Sequence, residues 1–450
     1  MSQNMAIALR RFFSCATSFL LLSAIACTVS GFGKNKVEYE KFSWKYLEIP
    51  HFYVYFHQDQ GSLPHISSQW LENAYDVLSA DFRSRFKKPI PLILYGSTNN
   101  FERTNVIPDL LPEGVGGFTT QRIVIPFDGS YEELRHVLHH ELVHGFQNTL
   151  LFDQLGSSLM GGSEMSMPLW FAEGMAEYLS TGWNSEADMF LMDAAIFGTI
   201  SQPGPQLDGY MAYKGGQSFL YFTASSVGDT LFSKMLKRFG ELKNVERAFK
   251  EVLGKTIEEF GEEWRYQLKQ VYWPEIGKRQ DPSKTGKALT SHSKDRDNFN
   301  LKPRISPDGT KIAYFSDLKD FTRILIVNRG GKILEEISES GFAGSFESFH
   351  PFRTGMCWAP SSDRIAFVTE NKGNDELRII DIKNKKLVRT FKPRLSSISS
   401  PDWSADGASI VFCGVEKDYC DLYLCDIQSG RIKRLTNNII FESDPRFSRD

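Results

Sequence analysis

Cysteine is scarce in this chain, with six residues in 450. That is too few for a fold stapled by disulfides. Cys15 and Cys27 lie in the N-terminal stretch; Cys357, Cys413, Cys420 and Cys425 all fall in the C-terminal region. None has zinc-knuckle spacing. Cys413 and Cys420 flank a turn-like stretch, Gly414 to Tyr419, so a cross-strand bridge and two buried thiols are both open readings. Excess charge is also missing: 52 Lys plus Arg face 55 Asp plus Glu, a formal net charge of −3. With no basic stripe, nucleic acid is excluded as a partner. The leading apolar run, Phe12 to Ile25, is too short for a comfortable membrane span. Arg10 and Arg11 precede it, and Ala24-Ile25-Ala26 forms a small-x-small cleavage site. Residues 1–26 therefore read as a signal peptide, and the expected location is the periplasm or cell envelope, or outside the cell. Cys27 follows directly, as in a lipoprotein, yet Ser23-Ala24-Ile25-Ala26 lacks the Leu of a lipobox. Membrane association through a lipid at Cys27 or an uncleaved anchor stays open.

What the chain does contain is length and apolar content. At 450 residues, two or three domains are expected. The most informative stretch is Val137-Leu138-His139-His140-Glu141-Leu142-Val143-His144-Gly145-Phe146. In a helix, His140 and His144 lie one turn apart on the same face. Two imidazoles so placed can hold one zinc ion, and Glu141 beside the first can act as general base toward an attacking water. Val137, Leu138, Leu142, Val143 and Phe146 surround the pair with apolar surface, which suits a partly dry metal site. Ser130-x-x-Glu133 is a capping box, so this helix is expected to begin near Ser130 and run to about Leu151.

Upstream, Phe42 to Leu47, His51 to His57, Pro91 to Tyr95 and Arg122 to Pro126 read as strands, and Ser67 to Phe86 as a helix. Because Pro126 closes the last strand, that strand is expected at a sheet edge, either closing the sheet or able to receive an extended peptide. Downstream, a Gly/Ser/Met-rich loop (Gly156 to Met167) precedes Pro168-Leu169-Trp170-Phe171-Ala172-Glu173-Gly174-Met175-Ala176-Glu177-Tyr178. Pro168 can open a helix. On it, Glu173 and Glu177 are one turn apart among apolar residues, and buried carboxylates need a cation or a donor. A further helix is expected over Ser185 to Ile200. Helical runs follow at Phe232 to Phe239, Val245 to Leu253 and Ile257 to Val271. Pro274 to Asn300 is rich in Lys, Asp, Ser and Gly and reads as a break.

The two stretches together resemble the gluzincin metallopeptidases of the peptidase MA-like group. In that family a second helix of the form W-x-x-E-G-x-A-E-Y brings the third zinc ligand. The resemblance implies Glu173 as that ligand and Glu177 as a residue orienting a ligand, with an ordinary solvent-facing helix charge as the alternative for Glu177. Gluzincins often set a tyrosine hydroxyl against the oxyanion. Tyr213-Lys214-Gly215-Gly216 resembles the family's Tyr-x-x-Gly segment, so the resemblance implies Tyr213, with Tyr210 as second choice.

Beyond residue 300 the texture turns repetitive. Pro303-Arg304-Ile305-Ser306-Pro307-Asp308-Gly309-Thr310-Lys311-Ile312-Ala313-Tyr314 returns as Cys357 to Phe367, again as Pro401 to Phe412, and opens once more at Pro445. The period, roughly 45–50 residues, is in the propeller range. Each unit has the strands and Asp-Gly-type turn of a four-stranded blade. It resembles the WD40-like, TolB-type propeller repeat. Three blades and the start of a fourth cannot close a propeller, so the expectation is the front part of a longer or truncated product.

The fold expected is an α+β zincin-like metallopeptidase domain followed by an all-β propeller, incomplete in this chain. The divisions are a signal peptide over 1–26, a gluzincin-like domain over 40–275, a linker over 276–300 and repeats over 301–450. The implied function is an exported zinc metallopeptidase acting on a peptide or protein substrate. His140, His144 and Glu173 would hold Zn2+, with Glu141 as base and Tyr213 at the oxyanion. The propeller would bind substrate or a protein partner. Two other readings stand beside it: a cell-envelope scaffold in which the propeller carries function, and a zinc hydrolase of non-peptide amides or esters.

Overall fold

The computed structural model describes residues 42–57, 61–102, 117–119, 122–155, 167–228, 230–280, 282–295, 297–318, 322–338 and 348–448. The signal-peptide segment, Cys15, Cys27 and all of the Gly156–Met167 loop except Met167 lie outside them. Five strands open the described chain: β1 (Trp44–Glu48), β2 (Phe52–His57), β3 (Ile90–Tyr95), β4 (Gly117–Thr119) and β5 (Arg122–Pro126). They form one sheet in the order β1-β2-β3-β5-β4. β1 and β2 are an antiparallel hairpin with Leu47 opposite Val54. β2 with β3 and β3 with β5 run parallel. Parallel neighbours need a crossover. The helix α1 (Leu63–Phe82) supplies the first, and the stretch containing the short helix α2 (Thr98–Glu102) the second. Alternation along β2 and β3 buries Phe52, Val54, Ile90, Leu92 and Leu94 on the helix-covered face.

Two expectations need correction here. Helix α1 ends at Phe82 rather than Phe86, because Arg83 turns left-handed at φ 49°. The Arg122–Pro126 strand is internal, not an edge, since β3 and β4 pair with its two sides and β4 forms the edge. Pro126 is tolerated because it is the last residue of the strand, and Phe127 N resumes the ladder to Tyr95 O at 2.8 Å.

Helix α3 (Tyr131–Leu155) leaves the sheet after β5. Ser130 Oγ accepts from Glu133 N at 3.1 Å, as a capping serine should. The reciprocal arm differs from the capping-box pattern: Ser130 N donates to Asp128 Oδ1 at 2.8 Å. Six helices follow: α4 (Leu169–Thr181), α5 (Ser185–Phe197), α6 (Gly209–Val227), α7 (Leu231–Leu242), α8 (Val245–Leu253) and α9 (Ile257–Ile276). Asn184 and Asn244 cap α5 and α8, and Thr256 with Glu259 forms a full capping box on α9. α9 runs past Pro274 to Ile276. Pro274 has no N–H to offer the preceding turn, and the helix ends two residues later. Two single turns, α10 (Pro282–Thr285) and α11 (His292–Asp295), occupy the stretch after it. Among the described residues no helix is long and apolar enough to cross a membrane.

α4 and α6 meet backbone to backbone. A Cβ at Gly174 would overlap the backbone of Gly216, and a Cβ at Gly216 would overlap the carbonyl of Trp170. Only glycine permits this approach. Trp170, Phe219, Phe249 and Trp264 fill the space alongside, all nearly fully buried.

The rest of the chain forms three antiparallel sheets of propeller-blade type among the described residues. The first holds β6 (Asn300–Ile305), β7 (Lys311–Ser316), β8 (Arg323–Asn328) and β9 (Ile333–Ser338). In the second, β10 (Ser348–Phe349) and β11 (Met356–Trp358) both pair with β12 (Arg364–Asn371), followed by β13 (Asn374–Asp381) and β14 (Lys386–Phe391). The third holds β15 (Ser397–Trp403), β16 (Ser409–Glu416), β17 (Tyr419–Asp426) and β18 (Ile432–Arg434). The recurring Ser-x-Asp-Gly has a physical basis. Ser306 Oγ bonds Asp308 Oδ1 at 2.6 Å and accepts from Lys311 N at 2.9 Å, while Gly309 turns at φ 70°. Ser404, Asp406, Ser409 and Gly407 repeat the arrangement in the third blade. Apolar residues of adjacent blades merge into shared cores, as stacked repeats require.

The β16–β17 hairpin plugs into the helical unit. Asp418 Oδ2 accepts from Ser62 N at 2.8 Å and from Ser62 Oγ at 3.0 Å, at the N-terminus of α1. A helix N-terminus favours a carboxylate. Cys413, Val415 and Cys420 join the helical core. All four C-terminal thiols are buried and free, so the bridge between Cys413 and Cys420 is not formed. In the ladder Cys413 faces Leu422 and Cys420 faces Val415, so the two cysteines are diagonal rather than opposite.

The glycine contact yields a stability prediction. Gly174→Ala is expected to destabilise the protein by about 1–3 kcal/mol through overpacking. Denaturant unfolding checks this; an unchanged midpoint would contradict the packing described.

Candidate metal centre

Helix α3 places His140 and His144 on its inner face, and α4 crosses it carrying Glu173 and Glu177. His140 Nε2 and His144 Nε2 are 3.2 Å apart, and each lies 3.2 Å from Glu173 Oε2. Three donor atoms from two helices thus form an even triangle. Its edge is that of a tetrahedron whose centre is about 2.0 Å from each corner, the ordinary ligand distance for a metal bound by imidazole and carboxylate.

Proton accounting points the same way. Gln147 Nε2 donates to Ala172 O at 3.0 Å, which turns Gln147 Oε1 toward His144 Nδ1 at 2.9 Å. His144 must then carry its proton on Nδ1. Glu177 Oε1 lies 3.2 Å from His140 Nδ1 and draws a proton there in the same way. In the neutral imidazoles both Nε2 lone pairs therefore face the Glu173 carboxylate. Three acceptors converge on one point, which is stable only around a cation. Side-chain exposure is 10% for His140, and 15% each for His144 and Glu173, so solvent cannot supply it. Without a metal, protons take that place. Burial pulls the His140 imidazole down, but Glu173 and Glu177 outweigh it and hold it up to about 10. Burial works to raise the Glu173 carboxyl, yet the two imidazoles hold it down to about 2. The residues present fit a divalent cation with three protein ligands.

Glu177 is only 5% exposed, which removes the reading of a solvent-facing helix charge. Its Oε2 accepts from Lys214 Nζ at 2.8 Å. Together with His136 and His140 it forms a second possible ligand group. Lys214 already neutralises that carboxylate, so the Glu173 group is the better cation site.

Glu141 is buried beside His140. The Tyr213 ring stacks on His140 with centroids 6.2 Å apart and planes 15° off parallel. Burial, then the charges of Glu173, Glu141 and Glu177, push the Tyr213 phenol up, so it stays a protonated donor at neutral pH. Tyr210 is turned away, with its hydroxyl 2.6 Å from Glu186 Oε1. The structure thus brings together His140, Glu141, His144, Glu173 and Tyr213. Sequence reasoning missed Gln147 and Lys214. Gln147 stands three residues after His144, within reach on a helix. Lys214 stands between a tyrosine and two glycines, an unusual setting for an exposed lysine.

No family model and no curated protein sequence matches the chain. Among solved structures, the likeness falls on the C-terminal region. TolB from Acinetobacter baumannii is 20% identical, with 34% of this chain and 34% of that one covered and a TM-score of 0.28. An acylaminoacyl peptidase in complex with Z-Gly-Gly-Phe-chloromethyl ketone is also 20% identical, with 31% of this chain and 25% of that one covered and a TM-score of 0.23. The chain thus spans about a third of the length of the first and a quarter of the second.

The Glu177 carboxylate carries its own prediction. Glu177→Gln keeps the shape but weakens the acceptor for His140 Nδ1–H. Affinity for a divalent cation, probed with Zn2+ against a competing chelator, is expected to fall about 10–100-fold. An unchanged affinity would remove Glu177 from the site.

Proposed function

We propose that this protein is a zinc-dependent hydrolase of peptide bonds, acting outside the cytoplasm. The observation carrying the reading is the triangle of His140 Nε2, His144 Nε2 and Glu173 Oε2 at 3.2 Å, with Glu141 adjacent. Two imidazoles and one carboxylate are a donor set suited to Zn2+ and leave one coordination position open. Zinc held there supplies Lewis-acid chemistry, polarising a carbonyl and acidifying water.

The chain's own residues perform the remaining work. Glu141 takes a proton from the attacking water and delivers it to the departing amine nitrogen. A C–O bond forms at the carbonyl carbon, the C–N bond breaks, and the carboxylate of Glu141 is regenerated. Tyr213, kept protonated by burial and the surrounding carboxylates, donates to the oxygen that gains charge. Gln147 and Glu177 fix the tautomers of His144 and His140, and Lys214 holds Glu177 in place. The backbone of β4, at the sheet edge and beside α3, offers an extended peptide a place to pair. The blades serve as a binding surface for substrate or a protein partner. Export rests on the Arg10 to Ala26 stretch.

Two measurements test this. Glu141→Gln should retain one zinc per chain and lower turnover of a peptide library by about 10²–10⁴-fold. Turnover at the parental rate would sink the assigned base. Tyr213→Phe should lower kcat by about 10²–10³-fold with little change in KM. A zinc-loaded parent with no hydrolysis of any peptide would instead favour the envelope-scaffold reading.

A further inference from the structure

A second buried cluster, sharing no residue with the first, sits where the blades meet the sheet domain. Glu102, at the end of α2, faces His350 and Glu370 of the second blade. All three are buried, at 5%, 6% and 8% exposure. Their ligand atoms lie within 4.8 Å of one another. Asp375, 1% exposed, stands directly across the ladder from Glu370. Like charges at opposed positions of two strands repel.

Arg353 acts on both Glu370 and Asp375 but offsets only part of this charge. Arg353 is committed to Asp375 Oδ2 at 3.3 Å and to Asn99 Oδ1 at 2.8 Å. Asp375 is further held by Asn99 Nδ2 and the backbone N of Ile398, at 2.9 and 2.8 Å. Among the described residues neither Glu102 nor Glu370 has a lysine or arginine at ion-pair distance. Among the described residues, the hydrogen-bond donor to Glu370 is the Ser348 hydroxyl, 3.2 Å from Oε2. His350 gives the independent sign of a ligand. Its Nε2 is buried and makes no hydrogen bond, lying 3.7 Å from Glu370 Oε2 and 3.6 Å from Asp375 Oδ1. Those distances exceed a hydrogen bond. An orphaned ring nitrogen aimed between carboxylates in a dry interface is satisfied by a cation held among them.

We propose that Glu102, His350 and Glu370 bind a second divalent cation of the first transition row, zinc being the probe, which clips the second blade to the sheet domain. One imidazole and two carboxylates suit such an ion, since alkaline-earth sites are built from oxygen alone. Small side-chain rotations suffice to bring the three atoms to about 2.0–2.2 Å from a common centre. The ligands are distant in sequence, so binding closes a long loop and couples to stability. This inference does not depend on the hydrolase reading.

The test uses the full chain. The parent dialysed against Zn2+ and then zinc-free buffer should retain two zinc per chain by elemental analysis, and Glu370→Gln one. His140→Ala/His144→Ala should retain one, and Zn2+ should raise its Tm by a few degrees. Adding Glu370→Gln or His350→Ala to that variant should remove both the bound zinc and the Tm shift. No loss of zinc on Glu370→Gln, or a folded His140→Ala/His144→Ala protein that binds none, would each overturn the proposal; one zinc in the parent that is lost on Glu370→Gln would support it and count against the first site instead. Should the double variant fail to fold, the parent against Glu370→Gln decides alone.

Discussion

The contact on which the candidate metal centre depends contains none of its candidate ligands. It is the approach of the α4 and α6 backbones at Gly174 and Gly216. Glu173 and Glu177 flank Gly174, so the depth at which α4 settles sets how far both carboxylates reach toward α3. On the α6 side, Tyr213 and Lys214 stand just before Gly215 and Gly216. The same approach therefore brings the Tyr213 ring over His140 and the Lys214 ammonium to Glu177. A larger residue at either glycine separates the helices and acts on every one of these groups at once. The Glu-Gly-x-Ala-Glu spacing is thus a packing requirement as much as a chemical one.

Electrostatics then ranks the two carboxylates. Glu177 is satisfied by Lys214 and by a proton on His140, and burial's upward pull is overcome to hold its carboxyl at about 2. Among the described residues, Glu173 is met by the two imidazoles alone. A cation entering the site gains most at Glu173, because there it relieves three converging acceptors. Glu177 acts one bond further out, fixing which nitrogen of His140 is free to bind. Buried charge is thereby arranged as a chain, Lys214 to Glu177 to His140, in which each member is held by the next.

Much of this was legible in the sequence because it is local. The His140/His144 pair, the Ser130 cap and the blade repeats all depend on residues within a few positions of one another, where helix and turn geometry dictate the outcome. The repeat turn is the clearest case, since Ser306, Asp308 and Gly309 make their bonds within five residues. What periodicity could not give was tertiary. The edge was assigned to Arg122–Pro126 because a proline ends it, but strand order depends on the three-residue β4, too short to show a pattern. α1 stops early on a left-handed arginine, and α9 passes a proline and ends two residues later. Lys214 and Gln147 escaped notice because their partners, Glu177 and Ala172, lie on another helix. The Cys413 and Cys420 spacing left a bridge and two buried thiols both open, and the ladder register, which sets the two diagonally, goes with the thiols.

The junction between the two halves has little slack. Gly129, in the turn that launches α3, packs so that a Cβ would lie 2.8 Å from Val415 and 2.9 Å from Cys420. A few residues away, Asp418 caps α1 through Ser62. One hairpin of the third blade thus touches both the start of α3, which carries His140 and His144, and the start of the helix packed beside it. Transmission of a shift across such a joint would need two discrete arrangements of that hairpin. A glycine seated against two side chains, with a carboxylate locked on a helix terminus, provides one. On this packing the blades form a fixed wall for the helical unit. The hairpin therefore holds the start of α3, and with it His140 and His144, at a set distance from the third blade.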